Sequence, residues 1–265
     1  MTMLRSERVK TIVVDLDRTL LHSDKSLSSY TIGVLKECKK RGMQVMVATA
    51  RPLRDALPFC EKFPFDAITA ANGARVVCGE TCVEYGMCQT SAERILRVLQ
   101  CRPDLRITVE TGACAYSNEP IAEYETTLSD DLMGIVQTEG TVKILVHLDR
   151  EDTLETVQNA LTEDVYATVA NGYLMQIMSK ATTKWNGIKK MLEICGGSPA
   201  ETIYFGDDND DLEPIERCGI GVAVANGIET VKAAADYIAE SNEEDGVAKF
   251  LAQLIGSTTD PVTNS

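Results

Sequence analysis

Basic charge is what this sequence is short of. Its 26 Lys and Arg face 40 Asp and Glu, a net charge of −14 over 265 residues. A binder of the DNA or RNA backbone normally presents a basic face, so nucleic acid is not expected as a partner. Electrostatic attachment to an anionic membrane is disfavoured for the same reason. A small anionic ligand is still allowed, because one local cation or metal can invert the field inside a site. No apolar run approaches the 18 or more residues of a membrane span, and the opening MTMLRSERVK lacks the apolar stretch of a signal peptide. Internal repeats, low-complexity tracts and Pro-rich linkers are absent too. There is no CxxC pair. The nine cysteines are odd in number and scattered, and the two histidines lie far from the Cys78, Cys82 and Cys88 group. A zinc site is therefore not expected, and the cysteines read as reduced thiols of a cytoplasmic protein.

What is present is ordinary globular material, 44% hydrophobic and 25% charged. The length suits one large domain or two modest ones. Val9 to Val14 is a continuous β-branched run that stops at Asp15. Tyr30 to Lys40 has helical spacing and ends before Gly42. Val45 to Ala48 is a second buried-type strand, and Ala67 to Thr69 a weaker third. Continuous apolar strands alternating with helices predict a parallel sheet covered on both faces. The middle of the chain differs: Arg106–Val109, Val142–Asp149 and Tyr173–Met178 alternate, with helices near Ala92–Gln100 and Thr153–Thr162. That suits an antiparallel sheet. The first pattern returns with a helix from Asn186 to Cys195, strands at Thr202–Phe205 and Gly221–Val224, and a helix around Glu229–Ala235. The expectation is an α/β fold, a parallel-sheet core with helices on both faces, formed by 1–79 and 182–265. An α+β insert, 80–181, interrupts it. Glu240–Asp245 reads as a solvated, structured turn, and Gly256–Ser265 as a frayed tail.

Open α/β sheets bind ligands at the carboxyl ends of their strands. The first strand delivers Asp15, Asp17 and Thr19, the second Thr49 and Arg51, and the strand ending at Phe205 delivers Asp207, Asp208, Asp210 and Asp211. Taken singly, each aspartate is an ordinary loop cap or Asx turn. Together they would place several carboxylates on one sheet edge, which requires a cation. With no His or thiolate nearby the donors are all oxygen, and a hard ion such as Mg2+ fits.

VVDLDRTLL, VMVATAR, Lys184 and YFGDDNDDLEPI, in that order, resemble the four motifs of the haloacid dehalogenase-like hydrolase superfamily. The closest subgroup is the Cof-type, class IIB sugar-phosphate phosphatases, which carry a C2-type cap between the second and third motifs. ITAANGARV and GVAVANGIETVKAAADYIAESNEEDGVAKFL are also similar to that subgroup, so the resemblance covers the whole chain. It implies a Rossmann-like core with 80–181 as a cap that sets substrate specificity. The implied activity is a Mg2+-dependent phosphatase acting on a small phosphorylated metabolite, a sugar phosphate in class.

The resemblance also implies roles. Asp15 would be the nucleophile. Asp17 would serve as general acid and then base, Thr49 would bind a phosphoryl oxygen, and Lys184 would neutralise phosphate and nucleophile. Thr49, Ala50, Asn72, Lys184 and Asp210 would contact substrate. Asp15, Asp207 and the backbone carbonyl of Asp17 would hold the metal, with Asp211 supporting. For Asn72 and Asn226 a simple turn role is the competing reading. For Arg51 it is a helix cap, and His22 reads as a surface residue. Three positions depart from the subgroup: Arg18 and Ala50 replace glycines, and Asp210 an asparagine. Arginine has neither the backbone freedom nor the small size of glycine, so Arg18 would either meet an anionic substrate or obstruct the entrance. A phosphomutase, or a phosphosugar-binding module that has lost catalysis, is the alternative function. A monomer or weak homodimer is expected.

Overall fold

A computed structural model of the protein describes residues 9–170 and 172–256. The MTMLRSER start and, beyond Gly256, the expected tail lie outside the described residues. The chain divides into two compact units: the residues up to Val83 together with those from Lys184 onward, and Glu84–Thr183 between them.

The first unit opens with β1 (Thr11–Val14), α1 (Ser29–Lys40), β2 (Gln44–Ala48), α2 (Leu53–Lys62), β3 (Ala67–Ala70), β4 (Arg75–Cys78) and β5 (Thr81–Glu84). The helix α1 starts where Ser28 accepts a hydrogen bond from the Thr31 N–H and stops before Gly42, whose φ is +84°. The second unit contains α3 (Gln89–Leu99), β6 (Ile107–Glu110), β7 (Ala115–Ser117), β8 (Thr127–Leu128), α4 (Leu132–Glu139), β9 (Lys143–His147), α5 (Thr153–Ala160), β10 (Val165–Ala170) and β11 (Leu174–Ser179). The chain re-enters the first unit with α6 (Lys184–Cys195), β12 (Thr202–Gly206), α7 (Leu212–Arg217), β13 (Ile220–Val224), α8 (Glu229–Ala234), β14 (Tyr237–Ala239) and α9 (Gly246–Leu254).

The eight strands of the first unit are ordered β14-β13-β12-β1-β2-β3-β4-β5, parallel from β14 to β3, with β4 antiparallel to β3. Side chains alternate across the sheet. Ile12, Val14, Val45, Val47, Ile203 and Phe205 pack on one face with residues of α1 and α9, while Val13, Met46 and Tyr204 pack on the other with Trp185, Ile188 and Met191 of α6. Burial on both faces is why these strands read as unbroken apolar runs. In the register, Val14 lies beside both Phe205 and Val47, so β1, β2 and β12 end side by side.

The second unit has a six-stranded sheet, β10-β11-β9-β6-β7-β8, antiparallel except at the β7–β8 edge. Its own core joins Ile95, Leu96 and Leu99 of α3 to Ile107, Val109, Ile144, Val146 and Ile177 of the sheet. Alternate residues of the same strands, Thr108, Glu110, Lys143 and His147, are polar and buried.

One expectation is corrected. Cys78 and Cys195 form a disulfide, with Cα atoms 6.9 Å apart and a sequence separation of 117. Spacing gave no hint of it, because the pairing arises only once the end of α6 packs beside β4. The other seven cysteines are free thiols.

Candidate active site

The site lies at the carboxyl ends of β1, β2 and β12. Asp15 continues β1, its N–H bonded to Phe205 O at 3.0 Å. A wide turn over 16–20 follows, closed by Leu20 N–H to Asp15 O and Leu21 N–H to Leu16 O. Arg18 in this turn has φ +59° and ψ +6°, the left-handed region that glycine adopts at low cost.

Lys184 is the first residue of α6 and is buried beside Asp15. Its Nζ donates to Asp15 Oδ1 at 3.1 Å and Asp211 Oδ1 at 2.5 Å, and lies 3.3 Å from Asp210 Oδ2. Burial would lower the lysine pKa, but the surrounding Asp15, Asp210 and Asp211 outweigh it and hold the ammonium charged. Burial pushes Asp15 well above the usual carboxylate range, opposed by Lys184 and reinforced by Asp211, Asp210 and Asp207.

Asp211 is the hub of the β12 loop. Its Oδ2 accepts the N–H groups of Asp207 and Asp208, at 2.8 and 3.0 Å. Its Oδ1 accepts Lys184 and the Tyr204 hydroxyl, both at 2.5 Å. With both oxygens engaged, it organises the loop and the lysine. Asp207 is buried, and Thr19 Oγ1 donates to its Oδ1 at 3.0 Å. Burial, then the Asp211 charge, raise Asp207 to about 7 against the opposing effects of Thr19, Arg18 and Lys184.

Carboxylate oxygens of Asp15, Asp207 and Asp211 all lie within 4.8 Å of one another, the one such metal-ready group among the described residues. The donor chemistry fits a hard divalent cation: the ligands are oxygens, and Asp15 Oδ2 and Asp207 Oδ2 accept no hydrogen bond from the described residues. The Asp17 carboxylate is not in this group. Arg51 grips it in a two-point bond, Nε to Oδ2 at 2.5 Å and Nη2 to Oδ1 at 2.6 Å, and Lys25 Nζ adds a third at 2.7 Å. Burial would raise the Asp17 pKa, but the two cations outweigh it and lower it.

Thr49 is buried at the end of β2. Its Oγ1 accepts the Arg51 N–H at 3.2 Å, which leaves the hydroxyl proton available. Ala50 follows it, half-buried. Asn72 N–H donates to Thr49 O at 3.2 Å in a turn where Ala71, Asn72 and Gly73 all have positive φ, and its buried Oδ1 has no partner. Asn226 is a loop staple, donating to Arg18 O at 2.7 Å and accepting the Asn242 N–H at 2.9 Å. His22 is also less exposed than expected and pairs with Asp245 at 3.1 Å. Sequence reasoning missed the Arg51 and Lys25 grip on Asp17. For Arg51 the available signal was its position two residues beyond Thr49, at a strand end facing Asp17. Lys25 offered none.

A family model described as haloacid dehalogenase-like hydrolase matches residues 12–251. Among curated proteins, the 5-amino-6-(5-phospho-D-ribitylamino)uracil phosphatase YitU of Bacillus subtilis (strain 168) is 28% identical, covering 91% of this chain and 96% of its own. Among solved structures, a haloacid dehalogenase-like hydrolase from Bacteroides thetaiotaomicron superposes with a TM-score of 0.83 at 24% identity, covering 93% of this chain and 99% of that one. A subclass IIB sugar phosphatase of the same superfamily gives 0.80 at 20%, with coverages of 94% and 99%.

Proposed function

The chain belongs to the haloacid dehalogenase-like hydrolases, and from that premise we propose that it is a Mg2+-dependent phosphatase that works through an aspartyl-phosphate on Asp15. The substrate is a small phosphorylated metabolite, a sugar phosphate in class. The observation that carries the reading is the convergence of Asp15, Lys184 and Asp207, drawn from three distant segments, on one edge of a parallel sheet.

Asp15 carries the attacking oxygen, in line with the scissile P–O bond. As that bond breaks, a proton passes from Asp17 to the departing alkoxide. A water then gives its proton to Asp17 and its oxygen to phosphorus, and the bond to Asp15 breaks to release phosphate. The ion pairs with Arg51 and Lys25 keep Asp17 ionised, the form the second half requires, so the first half requires one of these cations to let go. Lys184 holds Asp15 in place and balances charge on the phosphoryl oxygens, and Thr49 offers its hydroxyl proton to one of them. Asp15, Asp207 and the Asp17 carbonyl would hold Mg2+, whose contribution is to neutralise phosphoryl charge. Asp211 acts by holding Lys184 and the loop, Asp210 shares the lysine, and Asn72 offers an unspent acceptor to the substrate. The Glu84–Thr183 unit supplies substrate selection. YitU is named for a phosphorylated ribityl compound, which supports a polyhydroxylated leaving group here.

The test is phosphate release from p-nitrophenyl phosphate and a panel of sugar phosphates, with Mg2+ or EDTA. Wild type releases phosphate only with Mg2+, and Asp15→Asn, still folded by circular dichroism, loses about a thousandfold or more in kcat. Turnover of Asp15→Asn at the wild-type rate sinks the mechanism.

A further inference from the structure

We propose that Arg18 recognises a second anionic group on the substrate, so that the preferred phosphomonoester carries a carboxylate or another phosphate near the phosphate it loses. This rests on the hydrolase reading above.

Four cations surround the Asp15, Asp17 and Asp207 carboxylates, and three are spent. Lys184 is shared among Asp15, Asp210 and Asp211. Arg51 uses Nε and Nη2 on both oxygens of Asp17, and Lys25 takes the same carboxylate. Arg18 is different. Its Nη2 donates to Asn226 O at 3.2 Å, its Nε stands 3.7 Å from Asp207 Oδ2, beyond hydrogen-bond reach, and its Nη1 has no partner among the described residues. Its side chain is 54% exposed, whereas that of Asp207 is 3% exposed. The guanidinium therefore leans on the buried carboxylate group from the solvent side and keeps donors unspent toward solvent.

The backbone fixes that position. Left-handed φ and ψ at a non-glycine residue are unfavourable, and here a reciprocal pair offsets the cost: Arg18 O accepts from Asn226 Nδ2 while Asn226 O accepts from Arg18 Nη2. Asn226 is itself tied to the Asn242 N–H. Both ends of the arginine are thus anchored to one residue. A planar fork with free N–H groups matches a carboxylate or phosphate. In a chain of net charge −14, a cation with unspent donors beside the reacting phosphate marks where a second negative charge is tolerated.

The experiment compares 3-phosphoglycerate with glycerol 3-phosphate, which differ by a carboxylate in place of a hydroxymethyl group. With Mg2+ saturating, the ratio of their kcat/KM values falls tenfold or more in Arg18→Gln, through KM, and Arg18→Lys restores only part of it. An unchanged ratio overturns the proposal. A binding arm separates this from failure of the hydrolase reading. Calorimetry on Asp15→Asn, with and without Arg18→Gln, gives the Kd of both compounds even if wild type releases no phosphate from p-nitrophenyl phosphate. A tenfold weakening confined to 3-phosphoglycerate supports the role of Arg18, and equal effects on both compounds overturn it.

Discussion

Lys184 sits where the buried carboxylates of Asp15 and Asp211, with the partly exposed Asp210 beside them, would otherwise face one another. Its Nζ touches Asp211 and Asp15 and lies near Asp210, and the residue is 3% exposed. Removing one partner of a buried charge group leaves the others uncompensated, typically at 3–5 kcal/mol. Lys184→Met should therefore destabilise the metal-free protein by about 3–5 kcal/mol in urea unfolding, and Mg2+ should restore part of the loss. A change under about 1 kcal/mol would mean that the carboxylates are neutralised by protonation instead. At this scale the sequence was legible where residues follow one another in a motif: Asp15, Thr49 and Asp207 stand at strand ends, and Asp17 in the turn that follows β1. It was silent on pairs made across space, such as Arg51 with Asp17, 34 residues apart, and Cys78 with Cys195.

Elements were legible where burial was two-sided or a stop signal was present, as with β1, β2, β12 and α1. Others carried weaker signals. The helix α2 contains Pro58 and exposes Leu57, which blurs its apolar face. The strand β5 is largely exposed, and β10, at the sheet edge, is only partly buried, so neither needs an apolar pattern. The helix α6 was legible as a helix, but not how closely it packs. A Cβ on Gly187 would overlap Thr69 Oγ1 and lie 2.5 Å from Gly73 Cα, so the helix sits almost backbone to backbone on the turn after β3. Overpacking of this kind costs about 1–3 kcal/mol. Because Lys184 lies one turn earlier on the same helix, Gly187→Ala should lower both the melting temperature and kcat, although it touches none of the reacting groups. Lost stability with full turnover would show that the position of Lys184 does not depend on this contact.

The whole molecule consists of two units with separate hydrophobic cores, so thermal unfolding should resolve two transitions. Their pH dependence should have opposite signs. In the Glu84–Thr183 unit, His147 is buried, with the Tyr124 ring stacked 6.1 Å away and the Tyr173 ring tilted 5.9 Å away, and its Nδ1 lacks a partner. Burial, then the Arg106 charge, lower its pKa, with Glu123 and Asp149 opposing. A lowered imidazole pKa means that the unfolded state binds the proton first. Stability from this group is present above the unfolded value of about 6.5 and is lost as pH falls below it. In the other unit Asp207 titrates at about 7 when folded, against roughly 3.9 unfolded. Here the folded state binds the proton first. That contribution is complete below about 4 and is lost as pH rises through 7, and the raised pKa of Asp15 acts in the same direction. In EDTA, taking the protein from pH 8 to pH 5.5 should therefore raise the transition of the parallel-sheet unit and lower that of the other. His147→Gln should flatten the second dependence and Asp207→Asn reduce the first, each leaving the other transition in place. A single transition, shifted by both variants, would show that the units unfold as one body, and that linkage in either is read by both.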